Sequence, residues 1–386
     1  VRRYLEFKGF KVRHIQNFTD VDDKMIAAAN ELGITVSELA DRHIDDYLDE
    51  MDALNVTRAH AYPRATDEMD KIQDMIGRLL EKGYAYATDG DVYFRVRRDD
   101  DYGKLSGRDL DSLKAGARVE VEERKEDVMD FALWKRHKPG EPVWESPWGP
   151  GRPGWHIECS AMAIKYLGET IDMHGGGQDL LFPHHENEIA QSESYTEHTP
   201  MSRFWVHNGL VRFGETKMSK SLGNFYRISD LKDMGFSAEN IRYQLLSGHY
   251  RNKINFSSAK KYDGDKVLQR LSDFKDRVTE EKLISDNSSN LPDEFHQFCI
   301  AMDDDLDTPR AIAVYFNWIR DINKKMDHGI ESPELLSSAR NFIDAFDKIF
   351  GFLPQTESIP SDIMSLAERR QEARDMGDWP VADGLR

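Results

Sequence analysis

Lys217-Met218-Ser219-Lys220-Ser221, running on into Leu222-Gly223-Asn224, sets two lysines three residues apart on a stretch of small side chains. Two ammonium groups on such a loop can neutralise the phosphate oxygens of a nucleotide, which points to chemistry on ATP. Read alone, the same string also suits a solvated basic turn.

A second group of residues has the chemistry of a metal site. Cys159 stands in Trp155-His156-Ile157-Glu158-Cys159-Ser160, and Phe182-Pro183-His184-His185-Glu186-Asn187-Glu188 follows downstream. Proline is favoured at a helix start, so a helix is expected from near Pro183, and on it His184 and Glu188, four apart, face the same way. Thiolate, imidazole and carboxylate together suit Zn²⁺ better than Ca²⁺ or Mg²⁺. His185, three residues before Glu188, is an alternative to His184. The chain has no Cys-x-x-Cys pair, so spacing leaves open a plainer reading of a small buried cysteine and a surface His/Glu pair.

Met173-His174-Gly175-Gly176-Gly177-Gln178-Asp179-Leu180 is the third candidate. Glycines such as Gly175 and Gly177 let a ligand ring approach the backbone, and Asp179 can accept hydrogen bonds from ribose hydroxyls. A tight turn is the competing reading.

The elements that must position these groups read as α/β, then all-helical. Val12, Ile15 and Phe18 suggest a buried strand over residues 10–18. Thr35 and Glu38 form a capping box ahead of a helix, and Met69, Ile72, Met75, Ile76, Leu79 and Leu80 mark another that Gly83 stops. Period-two residues around the turn Asp89-Gly90 signal a hairpin. Strand and helix signals alternate again from 155 to 225, as in a parallel sheet. After residue 226 strand signals fade, and Ile241, Val267, Ile312, Tyr315, Ile319, Phe342 and Phe346 recur at bundle-helix spacing. The expected layout is 1–83 and 154–250 as two parts of one catalytic domain, 84–153 as an insertion, and 251–386 as a helical region.

The 386 residues, 39% hydrophobic with seven tryptophans, suffice for a sizeable core. No apolar run approaches the roughly 20 residues that span a bilayer, and Val1-Arg2-Arg3-Tyr4 has no signal-peptide core, so no membrane association and a cytoplasmic location are the default expectations. Of two cysteines, Cys299 lies among Phe295, Phe298 and Ile300 as a core residue. A net charge of -18 argues against a nonspecific nucleic-acid binder. An RNA partner docked by shape on local patches, such as Lys135 to Lys138, Arg251 to Lys261 or Arg369-Arg370, remains compatible.

Taken together, Lys217 to Asn224, Gly175 to Leu180, Gly154 to Met162 and Phe182 to Glu188 resemble the cysteinyl-tRNA synthetases, class I aminoacyl-tRNA synthetases. Asn17-Phe18-Thr19-Asp20, Pro63-Arg64-Ala65-Thr66, Leu246 to Arg251 and Met302-Asp303-Asp304-Asp305 are similar too, so the resemblance covers essentially the whole chain. It implies a Rossmann-like catalytic domain with an inserted subdomain, then a helical bundle that contacts tRNA(Cys). It implies activation of L-cysteine with ATP and Mg²⁺ to cysteinyl-adenylate, followed by transfer to the 3' end of the tRNA. One zinc ion per chain would be held by Cys159, His184 and Glu188. Lys217 and Lys220, Lys220 foremost, would act on the phosphates, with Gly175, Gly177 and Asp179 at ATP. Thr19, Trp155 and His156 would shape the cysteine pocket.

The family's His-Ile-Gly-His signature and its other cysteine ligand are not in this sequence, and neither is its last small segment. The chain as written is therefore expected to be inactive or nearly so, although the parent is the enzyme. A monomer is the provisional oligomeric reading. Two alternatives share the motifs: a ligase joining cysteine to an amino sugar in thiol-cofactor (mycothiol) biosynthesis, which has no use for the helical tail, and a catalytically inactive paralogue.

Overall fold

The computed structural model describes residues 1–108, 124–213, 226–280, 290–354 and scattered positions between 365 and 385. Lys217 and Lys220 lie outside the described residues.

The first helix, α1 (Arg2–Phe7), inserts Tyr4 into the core of the distant helical region. The following segment is extended but is not the buried strand its composition suggests. It makes only isolated parallel bridges, Ile15 to Ala61 and Phe18 to Arg64, and both side chains are half-buried. Val12, Ile15 and Phe18 recur every third residue, so they cannot share one face of a pleated strand of period two. Two helices follow, α2 (Asp23–Leu32), capped by Asp22, and α3 (Val36–Ala53). Thr35 and Glu38 complete the capping box at the start of α3, with the Glu38 amide donating to Thr35 Oγ1 at 3.2 Å and the Thr35 amide to Glu38 Oε2 at 2.9 Å.

Helix α4 (Met69–Glu81) buries Met69, Ile72, Met75, Ile76 and Leu79 on one face. A four-stranded antiparallel sheet covers that face in the order β1 (Ala85–Thr88), β2 (Asp91–Phe94), β3 (Phe131–Arg136), β4 (Gly151–Pro153). Asp89 and Gly90, with φ of 51° and 84°, form the hairpin turn between β1 and β2, where positive φ at both central residues matches the twist of the strands. Val92, Phe94, Leu133 and Trp134 of the sheet share one core with α4 and with Ile157 and Ala161 of α5 (Trp155–Leu167). The sheet therefore delivers the start of α5 directly: β4 ends at Pro153 and Gly154 is the helix N-cap. A Cβ at Gly154 would collide with the Ala132 carbonyl oxygen on β3.

Next comes a β-α-β unit. Strand β5 (Ile171–Gly177) pairs in parallel with β6 (Ser202–Asn208), with α6 (Glu186–Thr196) between them. Gly175 to Gly177 are the last residues of a strand rather than a turn. The helix expected from Pro183 starts later: Phe182 is extended (φ -141°, ψ 131°), a single wide turn follows through His185, and regular α-helix begins at Glu186. The residue before a proline is pushed out of helical geometry, which accounts for the delay.

A second parallel pair, β7 (Val211–Phe213) and β8 (Ile254–Phe256), brackets α7 (Ile228–Asp233) and α8 (Ala238–Leu246). Strand β8 had no sequence signal, because three residues are too few to display a period. Helices α9 (Ser258–Glu280), α10 (Asp293–Asp303), α11 (Thr308–Asp327) and α12 (Pro333–Phe350) pack around Phe298, Tyr315, Trp318, Phe342 and Phe346. Tyr315 and Phe346 stack with ring centroids 3.8 Å apart. Cys299 is half-buried against this core. Asp305, at φ 52°, ties the bundle to the end of α8, accepting from Tyr250 Oη and Arg251 Nε at 2.6 Å each. Among the described residues no helix is long and apolar enough to cross a membrane.

Because Ala132 O is backbone and cannot yield, Gly154→Ala is expected to cost more than about 2 kcal/mol of stability. Urea denaturation of the variant beside the parent chain measures it.

Candidate metal centre

Three elements converge on one buried carboxylate. Helix α5 presents Trp155, His156 and Cys159 from its first turns, where residues three and four apart share a face. The turn into α6 supplies His184 and His185, and the first turn of α6 supplies Glu188. His174 comes from β5, and Trp205 and His207 from β6; in the parallel register His174 pairs with Trp205 and Gly176 with His207. The site thus lies toward the carboxyl ends of parallel strands, where open α/β sheets bind ligands.

Cys159, His184 and Glu188 each bring one ligand atom within 4.8 Å of the others. A tetrahedral ion with bonds of about 2.0–2.3 Å separates its donors by roughly 3.3–3.8 Å, so small side-chain adjustments close the set around one ion. Glu188 is only 1% exposed, yet neither of its oxygens makes a hydrogen bond of good geometry among the described residues. His184 Nε2 stands 3.1 Å from Oε1, His174 Nε2 3.4 Å from Oε2, and His185 Nε2 3.9 Å from Oε1. A carboxylate withdrawn from water in this way needs a cation. The donor types, soft sulfur with imidazole and carboxylate, fit Zn²⁺.

Neighbours aim the ligands. His156 Nδ1 lies 2.8 Å from His184 Nδ1; for His184 Nε2 to offer a lone pair, its Nδ1 must carry the proton and donate it to His156. Burial, followed by the adjacent His184, pushes His156 down to about 3, which keeps it the neutral acceptor. Asn17 Nδ2 donates to Cys159 Sγ at 3.4 Å. Burial, reinforced by the charge of Glu188, pushes the Cys159 thiol well above its ordinary value, so without a cation it stays protonated. Burial also works against ionisation of Glu188, but the facing His174 and His184 outweigh it and hold that carboxyl below the usual range. Glu158, fully buried, is pushed far up by burial and by Asp20 and Asp22, and remains a neutral acid.

Trp155 is exposed, yet its ring centroid lies 4.2 Å from that of His184 and 5.4 Å from that of His156, so it walls the open side of the centre. Thr19 is half-buried beside Glu158, the residue preceding Cys159. Gly175 and Gly177 end β5, and Asp179 is exposed in the turn that follows. Spacing along the chain singled out Cys159, His184 and Glu188 but passed over His174, Trp205 and His207, and assigned no contact to Asn17. The alternation Trp205-Val206-His207, with period two on a strand, is the signal that would have placed two of them on one face.

Residues 1–263 match the tRNA synthetases class I (C) catalytic domain, and residues 297–354 match the DALR domain. The whole chain aligns with 85% of the Cysteine--tRNA ligase of Caldicellulosiruptor saccharolyticus at 47% identity. The chain belongs to the class I cysteinyl-tRNA synthetase family. Solved structures place the family's fold among the other class I synthetases. Mycobacterium tuberculosis methionyl-tRNA synthetase in complex with methionyl-adenylate superposes over 90% of this chain and 86% of its own (TM-score 0.63, 13% identity). A putative arginyl-tRNA synthetase from Campylobacter jejuni covers 91% and 86% (TM-score 0.54, 14% identity). These likenesses establish the Rossmann-like α/β fold that the motifs implied.

His156→Leu removes the acceptor that orients His184 and should weaken retention of a divalent ion by about 10- to 100-fold. Competition against a chelator measures the loss.

Proposed function

We propose that the enzyme ligates cysteine to tRNA(Cys), activating L-cysteine with ATP and Mg²⁺ to cysteinyl-adenylate and passing the cysteinyl group to the 3' end of the tRNA. The observation that carries the substrate assignment is the convergence of Cys159, His184 and Glu188 within 4.8 Å of one another around a buried carboxylate, in a chain 47% identical to a Cysteine--tRNA ligase. Bound there, one Zn²⁺ per chain supplies a soft acceptor that favours a substrate thiolate over a hydroxyl.

The chain's own residues do the rest. His156 fixes the tautomer of His184, Asn17 orients the Cys159 sulfur, and Trp155 and Thr19 shape the space left for the small side chain. A site that requires a sulfur rejects serine at the binding step, which removes the need for a separate editing domain. Gly175 and Gly177 leave room for the nucleotide near the ends of the parallel strands, and Asp179 accepts from its ribose hydroxyls. Lys217 and Lys220 neutralise the phosphates during adenylate formation, a step that needs positioning and charge rather than a covalent enzyme intermediate. Residues 1–83 and 154–250 form the catalytic body, 84–153 the insertion, and 251–386, which includes the DALR match, the region that docks tRNA. The enzyme works in the cytoplasm as a monomer.

Isothermal titration of the zinc-loaded chain tests the thiol selectivity. Cysteine is expected to bind and serine to bind at least ~1,000-fold more weakly, with cysteine binding lost after chelation. Equal affinities for the two amino acids refute the reading. In the natural enzyme, Lys220→Ala is expected to slow cysteine-dependent ATP–pyrophosphate exchange by about 100- to 1,000-fold; an unchanged rate removes the lysine from the mechanism.

A further inference from the structure

Two of the segments singled out in the sequence, Leu246 to Arg251 and Met302 to Asp305, meet where the helical bundle touches the catalytic body. Asp305 lies between α10 and α11, inside the DALR match. Its carboxylate accepts from Arg251 Nε at 2.6 Å, from an Arg251 terminal nitrogen at 3.1 Å and from Tyr250 Oη at 2.6 Å. Thr308 Oγ1, at the start of α11, donates to the Leu246 carbonyl at 2.7 Å. The loop held in this way, 248–252, rests on the residue that follows β6. The Gly209 amide donates to the Tyr250 carbonyl at 2.7 Å, and a Cβ at Gly209 would collide with the Asn252 carbonyl. Strand β6 carries His207, which stands 2.8 Å from His185 beside the buried centre. Burial foremost, then His174 and the charge of Arg251, holds the His207 imidazole below its ordinary value, so the clamped guanidinium is felt at the end of that strand.

Stability does not explain the arrangement. The Arg251 and Asp305 side chains are 59% and 44% exposed, and exposed ion pairs contribute little. Asp305 and Leu306 are successive left-handed residues, with φ of 52° and 57°, a conformation that costs energy in residues other than glycine and persists where the surroundings impose it. Leu306 packs against the bundle core, which anchors the loop from which Asp305 reaches across. We propose that Asp305 is a positioning residue for the transfer step: through Arg251 and Tyr250 it sets the helical bundle in register with the end of β6, so that a tRNA gripped by the bundle delivers its 3' end to the aminoacyl-adenylate. Activation uses only small substrates held by the catalytic body and does not depend on that register. Transfer uses a substrate that touches both parts, and a misplacement of about 1 Å can cost such a step on the order of 100-fold. The inference rests on the tRNA-ligase reading proposed above and adds to it a residue outside the metal centre and the nucleotide motifs.

Asp305→Gly tests this in the natural enzyme, because glycine keeps the left-handed backbone and removes the carboxylate. Cysteine-dependent ATP–pyrophosphate exchange is expected to stay at the parent rate. Transfer from preformed cysteinyl-adenylate to saturating tRNA(Cys), followed in a single turnover, should slow by about 10- to 100-fold. Asp305→Asn, which retains an acceptor for Tyr250, should recover part of the rate. Adding Arg251→Leu to Asp305→Gly should cause little further loss, since the two residues act as one unit. Transfer at the parent rate in Asp305→Gly overturns the positioning role, and so does an equal fall in exchange and transfer, which would mark Asp305 as general support for the fold. An unaltered enzyme that exchanges pyrophosphate with cysteine but forms no cysteinyl-tRNA sinks the tRNA reading itself, a result distinct from either.

Discussion

An ionised carboxylate held out of water is the constraint around which the catalytic half of this molecule is arranged. Glu188 has almost no exposed surface and no good hydrogen bond among the described residues, while an isolated charge buried in this manner is costly by many kcal/mol. Imidazoles on both sides, and a thiol whose ionisation is suppressed until a cation arrives, describe a cavity whose electrostatics close only around positive charge. The same suppression would serve chemistry, because Cys159 stays inert as a nucleophile and would become a ligand only where a bound metal ion displaced its proton to solvent.

The fold meets this constraint through short, stiff connections. Gly154 lets β4 run straight into α5 against β3, which fixes where Cys159 enters. The β5-α6-β6 unit carries the remaining donors, with parallel pairing setting His174 and His207 at the same end of two strands. Farther away, Asp305 and Tyr4 lock the helical bundle onto the catalytic body through hydrogen bonds to Tyr250 and Asp303. The helical bundle is thus coupled to the segment that leads from α8 back into β8.

Local order in the chain was readable, and long-range register was not. Glu188 with His184 could be recognised because their spacing is that of one helical face, and the Thr35/Glu38 box and the Asp89-Gly90 turn carry their own signals, whereas His156 entered only through the family resemblance. The start of α6 was misplaced because the extended Phe182 before Pro183 delays the helix. The segment around Ile15 was read as a strand from its apolar content, although its period of three did not support that. His174, Trp205 and His207 reach the centre only through the pairing of strands about 30 residues apart, information that no single stretch contains. The lysine loop, the strongest chemical signal in the chain, lies outside the described residues, so its role rests on residue type and on membership in the family.

X-ray absorption at the zinc edge tests the central claim most directly. Zinc in the resting protein should show a mixed shell of sulfur, nitrogen and oxygen near 2.0–2.3 Å, and adding L-cysteine should raise the sulfur count by one while L-serine leaves it unchanged. A shell that does not change with cysteine, or that contains no sulfur from Cys159, would contradict the account.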